Sequence, residues 1–222
     1  MLEINSSIKD KSFNNLKEKL KVLIKELQQC EQDNSTPVFL TRTDSLGAIA
    51  RMLLDDLKTT IQEDKSYLLY QPQMDNDGHC IGAEALLRWQ HPLYGFIYPP
   101  LILFLAKEGG ILADLESKII DKAAYAIHKT RTEYDGPFKI SINITAKSLL
   151  WDIESCISHN LDKYNIPASN LWIEITEQDV ITNSDYVIQK LKRLKNKGHT
   201  LLIDDFGMGH TSLIYLQSTY FG

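Results

Sequence analysis

The chain has 222 residues, 43% hydrophobic and 24% charged, an ordinary globular composition with enough length to bury a sizeable core. Its net charge of −5 argues against a binder of nucleic-acid polymers, and three scattered cysteines (Cys30, Cys80, Cys156) without a CxxC spacing argue against a disulfide framework and a zinc site. The expectation is a cytoplasmic protein with reduced thiols and no membrane segment in this chain. Its longest apolar run, near Leu101 to Ala106, falls far short of the roughly 20 residues a span needs.

Residues 1–43 read as an N-terminal extension. Phe13, Leu16, Leu20, Leu23, Ile24 and Leu27 recur at helical spacing, predicting an amphipathic helix that ends near Cys30. A polar stretch, Glu31 to Thr36, and Pro37 follow. Barely two heptads are present, so a two-chain stalk and a helix packed on its own domain both fit. Residues 44–222 form the main domain, opening with a helix over 45–64 capped by Thr43 or Asp44.

The pattern then alternates. Strands are expected over 67–71 and 81–89, joined by the turn-forming Met74-Asp75-Asn76-Asp77-Gly78. Helices follow over 100–108, stopped by Gly109-Gly110, and over 114–134. A strand over 139–144, a helix over 147–164, a strand over 171–176, a helix over 184–197 closed by Gly198 and a strand over 200–205 complete the series. Such a β-α-β-α-β run implies a parallel sheet covered by helices. A (β/α) barrel and a doubly wound sheet both satisfy it, although no GxGxxG follows the first strand.

Each strand carries an oxygen donor toward its C-terminal end: Glu84, Asn143, Glu174 followed by Glu177, and Asp204 followed by Asp205. In parallel α/β folds that edge of the sheet builds the site. Acid and amide groups interrupting successive apolar strands are costly to bury unpaired, and a shared cation offsets that cost. Hard oxygen donors without His or Cys suit Mg²⁺ or Mn²⁺ rather than zinc. On the second strand Glu84, Leu86 and Arg88 share one face, a combination suited to a metal ion, a flat ring and a phosphate.

Tyr70-Gln71-Pro72, Glu84-Ala85-Leu86 with Arg88 and His91-Pro92, Asn143, Glu174-Ile175-Thr176-Glu177 and Asp204-Asp205-Phe206-Gly207 occur in an order and spacing that resembles the EAL domain family. These are bacterial phosphodiesterases that open cyclic di-GMP to linear pGpG. The resemblance runs from about residue 45 to the end. It implies a modified TIM barrel with an antiparallel first strand and hydrolysis at a two-metal site. Glu84, Asn143, Glu174 and Asp204 would ligate the first Mg²⁺ or Mn²⁺, and Asp205 would serve the second. That makes Glu84, Asp204 and Asp205 the catalytic group. Gln71 and Arg88 would contact the ligand's phosphates, with Leu86 and Pro92 near a guanine. Glu177 would hold the loop Gly207-Met208-Gly209-His210-Thr211-Ser212-Leu213, which in the family couples metal binding to dimerisation. Met208, His210 and Thr211 depart mildly from the usual Gly-Thr-Gly-Tyr-Ser-Ser-Leu, and His210 reads as a substitute for Tyr.

The family's last three strands, with their Lys, Asp, Glu and Gln, have no counterpart before Gly222. The expectation is five barrel strands, an EAL domain lacking its C-terminal part, and poor turnover by this chain alone. The competing readings are a cyclic di-GMP receptor that does not cut its ligand and a protein-interaction module. The kept acidic positions favour the enzyme.

Overall fold

The computed structural model describes residues 2–33, 35, 37–133, 138–176 and 185–204. The chain divides into two compact units, Met1–Tyr67 with Arg88–Leu112 and Leu68–Leu87 with Ala113–Gly222.

In the first unit, helix α1 (Leu2–Gln32) packs on α2 (Ser45–Gln62). Leu20, Leu23 and Leu27, spaced to share one stripe, are buried. Asp44 caps α2, its Oδ1 accepting from the Gly47 amide at 3.0 Å. Arg42 ties that cap to α1, with guanidinium contacts of 2.5 Å to both Glu26 and Asp44.

A short antiparallel ribbon, β3 (Gln90–His91) with β4 (Gly95–Phe96), precedes α3 (Pro99–Glu108). The sequence reading did not anticipate this ribbon. Two-residue strands carry no periodicity, and buried His91 organises them instead. Its Nδ1 accepts the backbone N–H groups of Leu93 (3.1 Å) and Tyr94 (3.2 Å). The ring proton therefore sits on Nε2, which donates to Asp56 of α2 at 3.0 Å.

The second unit holds strands β1 (Tyr67–Met74), β2 (Cys80–Arg88), β5 (Lys139–Ile144), β6 (Leu171–Thr176) and β7 (Thr200–Asp204), in the spatial order β1-β2-β5-β6-β7. β2, β5, β6 and β7 run parallel. β1 and β2 are joined by residues 75–79 alone, too few for a parallel crossover. Asp75 builds that turn: its Oδ1 accepts the amides of Asp77 (2.9 Å) and His79 (2.8 Å).

Alternation sorts the sheet's two faces. Ala85, Ile140, Ile142, Ile144, Leu171, Ile173, Ile175 and Leu201 pack with Ile120, Ile127, Ile157 and Leu191 of helices α4 (Leu112–Glu133), α5 (Ile153–Lys163) and α6 (Asp185–Asn196). This is an α/β layer of parallel strands and helices, as the strand-helix alternation implied. β2 approaches β5 closely at Gly82, where a Cβ would lie 2.5 Å from the Lys139 carbonyl oxygen. That distance admits only glycine without backbone movement.

One element departs from expectation. Residues 147–164 are not a single helix but a 3₁₀ turn (Ala146–Leu150) followed by α5. Thr145 and Ser148 form a capping box at the first piece, and Asp152 caps the second by accepting from the Ser155 amide at 3.3 Å. Two start signals within eight residues outweigh a continuous apolar period. Among the described residues, no helix is long and apolar enough to cross a membrane.

Candidate active site

The sheet face turned away from the helices is polar. Alternation places Gln71 and Gln73 of β1, Glu84 and Leu86 of β2, Ser141 and Asn143 of β5, Glu174 and Thr176 of β6 and Asp204 of β7 on it. The parallel register pairs Glu84 with Ser141, Asn143 with Glu174, and Thr176 with Asp204. Asn143 thus stands two residues beyond the level of Glu84, Glu174 is level with Asn143, and Asp204 stands two residues beyond Glu174. The candidate ligands form a diagonal row, not a ring at one strand end: Glu84 and Glu174 lie mid-strand, and Asp204 closes β7.

Hydrogen bonds fix part of that row. Asn143 Nδ2 donates to Glu84 Oε1 at 2.6 Å. Gln73 Nε2 donates to Ser141 Oγ at 3.2 Å and to Glu174 Oε1 at 3.3 Å. Glu174 is only 7% exposed. Burial is the main cause pushing its carboxyl above the ordinary carboxylate range. The charges of Glu84 and Asp204 add to the push, against hydrogen bonds from Ser141 and Gln73. An excess of negative charge on hard oxygens is the condition that a dication relieves, so the donor set suits a hard divalent cation.

The carboxylates of Glu84, Glu174 and Asp204 do not form a tight cluster. Among the described residues, the group of three whose ligand atoms lie within 4.8 Å of one another is Asp75, Asp77 and His79 in the β1–β2 turn. There the Asp75 carboxylate already serves the turn amides and the His79 ring.

Of the other expected site residues, Gln71 is exposed and Leu86 half-buried. Arg88 ends β2 in the first unit, with its guanidinium carbon 5.7 Å from the Phe96 ring centroid, and Pro92 lies in the ribbon turn. Asp205, Glu177 and the loop 207–213 lie outside the described residues.

The sequence reading missed Gln73 and Ser141. Gln73 follows Gln71 by one strand period, and Ser141 precedes Asn143 by the same step, so alternation pointed to both. The reading also passed over Glu116 of α4, which is buried. Its carboxylate accepts from Ser148 Oγ and from Trp151 Nε1, the latter at 2.7 Å. Burial pushes this carboxyl upward despite both bonds. The contact anchors the segment that begins just after Asn143.

A family model described as the EAL domain matches residues 54–221. The bifunctional diguanylate cyclase/cyclic di-GMP phosphodiesterase MucR of Pseudomonas aeruginosa is 30% identical over 167 residues, 74% of this chain and 24% of MucR. The cyclic di-GMP phosphodiesterase NbdA of the same bacterium is 30% identical over 165 residues, 73% of this chain and 21% of NbdA. The solved structure of the MucR phosphodiesterase in complex with c-di-GMP superposes with a TM-score of 0.70 at 30% identity, covering 75% of this chain and 68% of that one. The P. aeruginosa FimX EAL domain, solved bound to c-di-GMP, shares the fold with a TM-score of 0.63 at 18% identity, covering 76% of this chain and 67% of that one. The chain spans about a quarter of the length of the curated relatives MucR and NbdA.

Proposed function

The chain belongs to the EAL family, and from that premise we propose that it is a metal-dependent phosphodiesterase opening cyclic di-GMP to linear pGpG. One observation supports the reading most: Glu84, Asn143, Glu174 and Asp204, from four adjacent parallel strands, share the sheet face opposite the helices. In this reading the five strands are part of a modified TIM barrel with an antiparallel first strand, in a cytoplasmic protein.

Glu84, Asn143, Glu174 and Asp204 would hold one Mg²⁺ or Mn²⁺, and Asp205 would contribute to a second. When bound, such ions polarise the scissile phosphate and acidify a water for in-line attack. The chain's own residues do the rest. Asn143 holds Glu84 in one orientation through its 2.6 Å bond. The carboxylates balance the cationic charge. Arg88 and Gln71 bind phosphate oxygens, the former through charge-assisted bonds. Leu86 and Pro92 present apolar surface to a guanine. Glu177 steadies the loop after β7.

The test is incubation of the protein with cyclic di-GMP and Mn²⁺, followed by chromatography of the nucleotide. Slow conversion to pGpG is expected of this chain, with Glu84→Ala lowering the rate by about 100-fold or more, as loss of a group that supports the reacting charge does. Binding without conversion would leave a receptor, or a domain that needs the family's remaining strands to cut its ligand. Neither binding nor conversion would point to an interaction module.

A further inference from the structure

The geometry points to Gln73 as a positioning residue for the metal site, acting through Glu174; this rests on the phosphodiesterase reading above. The Glu174 carboxylate accepts from the Gln73 amide at 3.3 Å, and the Ser141 hydroxyl beside it also favours its ionised form. Ser141 is wholly buried and also accepts from Gln73 Nε2, which closes a triangle of three strands, β1, β5 and β6.

An ionised carboxylate only accepts, so the Gln73 amide must turn its NH₂ toward Glu174. That choice leaves Gln73 Oε1 buried without a hydrogen-bond partner among the described residues. An orphaned buried acceptor is costly, and a methionine of similar length would fill the space without one. The sequence therefore keeps a locally unfavourable side chain. What it gains is a carboxylate with Oε1 engaged, its rotamer fixed, on the face shared with Glu84 and Asp204. Local rules broken in this way mark functional positions. Partners that orient metal ligands typically change metal affinity by about 10- to 100-fold when removed.

The experiment titrates Mn²⁺ alone into the wild-type protein, Gln73→Met and Ser141→Ala by calorimetry, beside thermal melts without metal. The expected result is about 10- to 100-fold weaker Mn²⁺ binding by Gln73→Met, with a metal-free melting temperature equal to or above that of the wild type. Ser141→Ala, which leaves only a small void, should weaken Mn²⁺ in the same direction and covers the case in which Gln73→Met fails to fold. A packing role alone would lower the melting temperature and leave affinity unchanged. Wild-type affinity in a folded Gln73→Met, or in Ser141→Ala if the first variant does not fold, overturns the assignment while the metal reading stands. A wild-type protein that takes up no Mn²⁺ overturns both.

Discussion

Glu174 is held against its own electrostatics. It is buried beside two further carboxylates, and its two hydrogen bonds only partly offset the cost. Removing the charge while keeping the shape should relieve the fold. Glu174→Gln is expected to raise metal-free stability at neutral pH by on the order of 1 kcal/mol, read from denaturant midpoints, while abolishing Mn²⁺ binding. Lower stability would show that the negative charge is needed by the fold itself. The acids of this face were legible in the sequence because oxygen donors recur toward the same end of four successive apolar strands, where any one alone would pass as a solvated residue. Gln73 was not, since a glutamine in a half-exposed strand carries no such alarm. Its importance comes from strand register, which brings β1 against residues 141 and 174 and is written in no local pattern.

Among the elements, β2 and β5 depend on one close approach. Gly82→Ala would drive its Cβ onto the Lys139 carbonyl at 2.5 Å and push the strands apart. The expected loss is about 1–3 kcal/mol of stability by chemical denaturation, with weaker Mn²⁺ binding because Glu84 and Asn143 lie just downstream on the separated strands. An unchanged midpoint would mean that the sheet accommodates the shift freely. The strands β5 and β6 were readable to their end residues, because Ile alternates with polar groups along the first and turn signals bracket the second. The break between the 3₁₀ turn and α5 was not. Leu149, Ile153, Ile157 and Leu161 keep a four-residue step through it, so apolar period and capping gave opposite answers and capping won. The β3–β4 ribbon escaped for a different reason: it is held by the His91 ring, a tertiary contact to Asp56 and the backbone.

For the molecule as a whole, pH acts through buried groups of opposite sense. His199 is 4% exposed, and burial pushes its imidazole below the ordinary value of 6.5, against a hydrogen bond to the Leu171 carbonyl (3.1 Å). The unfolded chain binds this proton more readily than the folded one, so stability drops as pH falls below about 6.5. Glu116 and Glu174, pushed upward, work the other way: the folded state binds their protons more readily, and stability drops as pH rises through their range. Comparing wild type with His199→Asn isolates the first effect. The difference in melting temperature between them should shrink from pH 7.5 to pH 5, and a constant difference would remove His199 from the balance. Overall architecture was the most legible level, since strand-helix alternation limits an α/β chain to few arrangements. The division into two compact units was not, because residues 88–112 join the N-terminal helices from a distant place in the chain.

The Glu116–Trp151 contact has a use outside structure. An indole whose N–H is engaged by a carboxylate, a few residues past Asn143, is a built-in chromophore at the rim of the sheet. With Trp89 and Trp172 replaced by phenylalanine, its emission would let the segment following Asn143 be watched in real time, in solution and without an attached dye.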